Sequence, residues 1–265
     1  MKIANFEAIW NYRYFVITSV RSDFKNRVSR SRLGFLWLII APLSQVLIYA
    51  FVLSALMSQK LPGISSSYSY AIYLLAGFQG WFLFLEIFNR SLTVFIDNAN
   101  IMKKISFPRS SLPLIIIITS VISNIIFFII LMIVYKSIGF DVGYNVAWLP
   151  LIVLVNVMFS TAFGMICGIL NVFIRDVGQM AGIIMQFLFW LTPIVYTIDI
   201  LPQLFQSVVM LNPLFWLIDC YHQVLAFNKP PNFLALGIFF VVSLVFLGVA
   251  FWLFKKSSSE MVDVL

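Results

Sequence analysis

Residues 110–135 read SSLPLIIIITSVISNIIFFIILMIVY and contain no Asp, Glu, Lys or Arg. Neither Ile115-Ile116-Ile117-Ile118 nor Phe127-Phe128-Ile129-Ile130 alternates apolar with polar side chains, as the ~10-residue strands of a membrane β-barrel would. A helix rises ~1.5 Å per residue, so a hydrocarbon core of ~30 Å is crossed by ~20 apolar residues. This stretch is therefore a spanning helix, and it does not stand alone. The windows 33–59, 61–85, 142–174, 177–198, 200–218 and 230–254 are equally free of charge. Over all 265 residues, 62% are hydrophobic and only 10% charged, against about 25% charged in soluble domains. So few charges cannot cover a water-facing surface. That excludes a soluble enzyme, a disordered regulator and a nucleic-acid-binding domain, and leaves an all-α polytopic membrane protein.

One window differs from the rest. Pro202 and Pro213 interrupt 200–218, Gln203, Gln206 and Asn212 add polar groups, and half of the ten prolines fall between Pro193 and Pro231. Broken helix at membrane depth is tolerated where protein or a water-filled cavity surrounds it. Residues 197–229 are thus expected to be re-entrant helices dipping in from the outer side. Six spans remain, at about 33–58, 69–96, 110–135, 146–173, 178–196 and 231–254. They are preceded by a cytoplasmic segment 1–32 and followed by a cytoplasmic tail 255–265.

The basic residues test this arrangement. With six spans, one side holds 14 Lys and Arg and the other only Lys60, Lys136 and Lys229. Cytoplasmic loops carry the excess, so both termini are expected in the cytoplasm of a multi-pass membrane protein. The net charge of +7 is then a topology signal, with anionic membrane lipids as partner and no nucleic acid. Residues 1–32 lack an apolar core run, so no cleavable signal peptide is expected. Ile3, Phe6, Trp10, Tyr14, Ile17, Val20, Phe24 and Val28 instead recur at helical steps, while Arg13, Arg21, Lys25 and Arg27 fall mostly on other faces. That is an amphipathic interface helix, lying on the membrane surface or docked on another subunit.

Catalytic and metal motifs are missing from the sequence. Cys167 and Cys220 belong to different depths, so no bridge is expected, and no metal spacing occurs. The single histidine, His222, lies three residues after Asp219 and could share a helix face with it, the one acid/base pair on offer. Glu86, four residues before Arg90, is the one candidate for an ion-coupled mechanism, but an ion pair near the cytoplasmic end explains it more simply. A phosphate-binding loop needs a Gly-Lys step, and none of the twelve glycines is followed by Lys. Active transport by this chain would require a separate ATPase acting on a cytoplasmic feature. The loop from Asp97 to Arg109 is the best candidate. Asp97 or Asn98 can cap a short helix at about 97–108, Lys103 and Lys104 suit its C-terminal end, and Pro108 stops it. An ordinary connecting loop fits the same residues.

Four stretches together resemble the membrane subunit of type-two ABC exporters for polysaccharides, the O-antigen, capsule and teichoic acid export family. They are Asp23-Phe24-Lys25-Asn26-Arg27 with Ser31 to Trp37 and Pro42; Asn100 to Lys104 with Phe107-Pro108-Arg109 and Leu112-Pro113; Asn171 to Val177; and Thr192 to Tyr196 with Asn212-Pro213 and Tyr221…Val224-Leu225. The resemblance extends over nearly the whole chain. It implies a homodimer bound to two copies of an ATPase subunit, which uses ATP and Mg; this chain itself binds no cofactor and is a transport subunit rather than an enzyme. It further implies that Asn100, Met102, Lys103, Lys104 and Phe107 form a coupling helix in a cleft of the ATPase, with Arg175 and Asp176 near the same surface. Spans one and five would line a path for a lipid-linked glycan, moved from the cytoplasmic to the outer leaflet.

The residues fit such a path. Trp37, Tyr49 and Phe51 in span one, with Phe187, Phe189, Trp190 and Tyr196 in span five, offer flat faces on which sugar rings slide. Tyr49, Trp190 and Tyr196 are the expected lining, with Ser44, Gln45, Gln186 and Thr192 as polar rims. Aromatic residues are also enriched at membrane interfaces without any such role. Ser160, Gly164 and Gly168 recur every four residues and let another helix approach, within the subunit or across a dimer. Two other functions remain open on sequence: an enzyme acting on lipid-linked sugars through Asp219 and His222, and an exporter of a small lipid or drug.

Overall fold

A computed structural model describes residues 13–29, 68–104, 111–258 and 260–264, with isolated positions between 36 and 47. Residues 1–12 and nearly all of the first expected span lie outside the described residues. The described chain is helical: α1 (Arg13–Ser29), α2 (Ser69–Asp97), α3 (Ala99–Lys104), α4 (Ser111–Ser137), α5 (Leu149–Phe173), α6 (Asp176–Leu191), α7 (Gln203–Leu211), α8 (Pro213–Leu225), α9 (Phe233–Ser257) and α10 (Glu260–Val264). Among the described residues, α2, α4, α5 with the 3-10 turn before it, and α9 are long and apolar enough to cross a membrane. A fifth crossing is added if α7 and α8, bent by 97°, count as one.

α2 is the central helix. Ile72, Leu74, Phe78, Phe84 and Phe88 are wholly buried, because α4, α5 and α8 all pack on it. The tightest approach is that of α5, along Ser160, Gly164 and Gly168. A Cβ on Gly164 would come within 2.7 Å of the Ser91 Cβ, and one on Gly168 would run into the Ser91 carbonyl oxygen. The small-residue stripe thus serves packing inside the subunit, where van der Waals contact between backbones stands in for the missing hydrophobic drive between helices in lipid. Polar staples reinforce it. Gln79 Nε2 donates to Asn124 Oδ1 at 2.9 Å, and Asn124 Nδ2 donates back to the Gln79 carbonyl at 2.9 Å. On the other side Asn156 Nδ2 donates to the Gly80 carbonyl at 3.0 Å.

The bundle has two chemically distinct ends. At one, Val94 and Phe95 of α2, Leu112 of α4, Val172 of α5 and Ala250 of α9 share an apolar cluster, with Phe254 stacked on Phe95 at 5.8 Å. Lys103, Lys104, Arg175, Lys255 and Lys256 surround this end. Helix α1 joins it nearby: it packs along α4, and Asp23 Oδ2 accepts from Arg90 Nη2 at 3.0 Å. Arg90 also donates to Thr119 Oγ1 and lies 3.8 Å from Glu86. The sequence pairs Glu86 with Arg90 correctly, but misses Asp23 as the third member. Within α1 the expected stripe divides, with Tyr14 and Ile17 exposed, Val20 and Phe24 half-buried, and the off-stripe Val16 buried.

At the opposite end Tyr135 Oη donates to the Ile72 carbonyl at 2.7 Å, holding α4 to the start of α2. Tyr70 Oη donates to the Val195 carbonyl at 2.5 Å, and Tyr73 Oη to those of Pro193 at 3.0 Å and Tyr196 at 3.1 Å. Asn228, in left-handed backbone at φ 54°, accepts from the Gly143 N–H at 2.6 Å and donates to the Asp141 carbonyl at 3.1 Å. Residues 196 and 228 are thus tied to the same end of the bundle, so α7 and α8 form a hairpin that returns to where it starts. Asn212 makes the corner: its side chain accepts from Leu214 N–H at 3.0 Å, and Pro213 opens α8.

Helix α6 stops at Leu191, whereas the sequence reading runs the span to 196. Thr192 precedes a proline, which disfavours helical backbone, and it sits extended at ψ 126°. Sixteen residues of helix reach only about 24 Å.

The Asn228 clamp carries a direct expectation. Asn228→Ala removes both side-chain bonds and leaves a Cβ residue in left-handed backbone, so it should cost about 1–3 kcal/mol. Asn228→Gly keeps the backbone freedom and should cost less. Thermal unfolding in detergent orders the three proteins, and equal midpoints for Ala and wild type would contradict the clamp.

Candidate coupling surface

The basic end is built from three short features. The first is α3, which follows α2 after one intervening residue. Asn98 Nδ2 donates to the Val94 carbonyl at 2.8 Å, and the Met102 N–H bonds the Asn98 carbonyl at 2.9 Å, so hydrogen bonding runs almost unbroken from α2 into α3. Thr93 Oγ1 also donates to Asp97 Oδ2 at 2.7 Å beside the joint. α3 is therefore hydrogen-bonded directly onto the end of the central helix. Asn100 and Lys103 are exposed on α3, whereas Met102 faces inward and is only 6% exposed. Lys104 is the last residue of α3. Phe107 lies outside the described residues.

The second feature is the turn between α5 and α6. Arg175 precedes α6 and Asp176 begins it, both exposed. The carboxylate of Asp176 sits in the first turn, where the helix dipole favours negative charge. Asn171 holds this turn against α2, donating through Nδ2 to the Leu92 carbonyl at 3.1 Å and accepting from the Gly178 N–H at 3.0 Å. Leu92 is just over one turn from the end of α2, so α3 and the Arg175–Asp176 turn occupy the same end of the molecule. The third feature is α10, which packs on both α3 and α5.

The expected path residues are less united. Tyr49 lies outside the described residues. Trp190 is half exposed, and its carbonyl accepts from Tyr196 Oη at 2.8 Å, which joins the two aromatic residues as one unit. Phe187 and Gln186 are exposed on the same helix, and Trp37 and Ser44 are exposed in the described part of the first span. Two expectations need correction. Phe189 turns inward against Trp81 at 5.5 Å, so it is core rather than lining. Thr192 is fully buried, donating to the Leu188 carbonyl at 2.6 Å and accepting from Asn212 Nδ2 at 2.8 Å; it braces the hairpin and is no polar rim.

The Asp219–His222 pairing is also not the one adopted. His222 is 2% exposed and stacks on Tyr73 at 3.8 Å, against Gly77. Asp219 instead accepts from Gln223 Nε2 at 3.3 Å. The helical spacing allows the pair, but the cross-helix stack takes the imidazole. No group of three or more metal-ligating side chains occurs among the described residues.

Comparison with known proteins shows the family. Residues 14–226 match the family model for the ABC-2 type transporter. An O-antigen export system permease protein RfbA of Klebsiella pneumoniae is 27% identical over 251 residues, covering 94% of each chain. One from Myxococcus xanthus is 23% identical over 96% of each. The polysialic acid transport protein KpsM of Escherichia coli is 21% identical over 87% of this chain and 89% of its own. With more than half of its length matched by the family model, this chain belongs to the ABC-2 type transporter membrane family.

Proposed function

We propose that this chain is the permease subunit of an ATP-driven exporter that moves a lipid-linked polysaccharide from the cytoplasmic to the outer leaflet of a bacterial inner membrane. The observation that carries the reading is the basic end. There α3 runs directly into the central helix, and the Arg175–Asp176 turn is pinned beside it. A membrane chain with no Gly-Lys phosphate loop needs its energy delivered by a partner, and this is a surface through which a partner can push. The names of the relatives, O-antigen and polysialic acid transport proteins, support a polymeric glycan as cargo.

In this reading the basic end is cytoplasmic and carries residues 1–32 and 255–265. The first span completes six, and the α7–α8 hairpin is re-entrant from the outer face. Tyr14 and Ile17 on α1 contact lipid at the interface. Two copies of the chain and two of a separate ATPase, which binds ATP and Mg, form the working unit. The exposed α6 face with Phe187 and Trp190 looks into the path between the copies.

The test is reconstitution of the chain with the ATPase that copurifies with it. A lipid-linked glycan added to the proteoliposomes should stimulate hydrolysis several-fold, and a short-chain phospholipid should not. Stimulation by the phospholipid alone would replace the polysaccharide reading with a small-lipid exporter.

A further inference from the structure

The helix that a motor would push is too short to hold itself in place. Six residues form α3, and isolated helices below about 12–15 residues are marginal in water. Its seat must come from packing. Among the described side chains of α3 Met102 points inward, and it lies in one apolar cluster with Val94 and Phe95 of α2, Val172 of α5, Ala250 of α9 and Met261 of α10. Met261 is 0% exposed, more deeply buried than Met102 itself. It comes from a five-residue helix that touches both α3 and α5, while its neighbour Glu260 is exposed. Just before α10, Phe254 stacks on Phe95 at 5.8 Å, which fixes the end of α9 against the end of α2.

We propose that Met261 is a positioning residue for energy coupling: it closes the back of the socket that seats α3, so that a load on Asn100 and Lys103 enters α2, α5 and α9 together. Methionine suits the position. Its unbranched side chain fills the irregular gap where the helix ends meet. Without it α3 remains attached to α2 through Asn98 but loses the support of α10, which packs on α5. The helix then yields under load instead of transmitting it. This inference rests on the coupling role proposed above for α3.

The experiment uses the full complex of permease and ATPase in proteoliposomes and reads glycan exported per ATP hydrolysed. Met261→Asp puts a carboxylate in an apolar socket and shifts α3 from seated to unseated, so it should lower export per ATP by roughly tenfold or more, with assembly and hydrolysis retained. Met261→Leu should behave as wild type. Normal export per ATP in Met261→Asp overturns the proposal. Met261→Ala, which keeps the position apolar, covers the case in which Met261→Asp fails to fold: its export per ATP should fall severalfold with assembly retained, and export per ATP equal to wild type in the assembled Met261→Ala complex overturns the proposal too. Lys103→Glu separates the two readings, since this exposed residue has no part in the socket. If Lys103→Glu uncouples and Met261→Asp does not, the socket role alone falls. If Lys103→Glu leaves export per ATP unchanged, the coupling role of α3 falls with it.

Discussion

Gly168→Leu should leave almost no folded protein. The added side chain would start inside the Ser91 carbonyl, whose carbon lies 3.2 Å from the new Cβ, and the following residue, Leu92, meets it at Cα at 3.4 Å. Both are backbone of the central helix, so no rotamer change relieves the clash and α5 must move away from α2. Overpacking costs about 1–3 kcal/mol even where side chains give way, and occasionally more. Here the displacement also strains the Asn171 bond to Leu92 and the Asn156 bond to Gly80, on either side of the contact. Losing several such terms takes most of a stability of about 5–15 kcal/mol. Gly168→Ala tests the same contact with a smaller insult. Gly182→Ala is the control, because nothing lies within 4 Å of the Cβ it would add. Monodisperse yield and melting midpoint in detergent should fall in the order Gly182→Ala, Gly168→Ala, Gly168→Leu. A stable Gly168→Leu protein would mean that α5 does not approach α2 as described.

Reversing charge on α3 should have the opposite signature, with intact protein and lost function. Lys103→Glu combined with Lys104→Glu places two carboxylates at the C-terminal end of a short helix, where the dipole favours cations. A charge reversal at the end of a helix costs only about 0.3–1 kcal/mol of folding. The fold is held by Met102 and the cluster behind it, which these changes do not touch. A complementary partner surface meets like charge instead, so export should drop at least roughly tenfold, the effect of 1.4 kcal/mol at the interface. The variant should purify with wild-type yield, and its residual binding to the ATPase should depend less on salt, because a screened attraction has been removed. Wild-type export by this variant would show that the partner docks elsewhere.

Much of the architecture is legible in residue order. The charge-free windows at 110–135 and 230–254 become α4 and α9, and the Asn212-Pro213 pair becomes the corner of the hairpin. The Ser160, Gly164 and Gly168 spacing announces a close helix approach. It does not say that Ser91 lies opposite. Thr192 and Phe189 depart from the sequence expectation for a related reason: both are of a type that suits a glycan path, and both are instead used up by neighbours distant in the chain, Asn212 and Trp81. Arg90 found its i,i+4 partner Glu86 on paper, while Asp23, 67 residues away, is the closer carboxylate. The socket behind α3 was equally hidden, because Met261 is one methionine among ten until the chain folds back.

The division has a single physical origin. Crossing a membrane is decided residue by residue, by the free energy of each side chain in hydrocarbon or in water, so composition and the placement of 17 basic residues suffice to specify helical spans and the end that gathers positive charge. Which helix meets which, and which side chain faces a path, a partner or the core, depends on contacts between residues distant in sequence. Those terms exist only once the backbone is assembled. Only the tertiary structure could therefore turn His222 onto Tyr73, seat Gly168 on Ser91 and place Met261 beneath the helix that a motor would push.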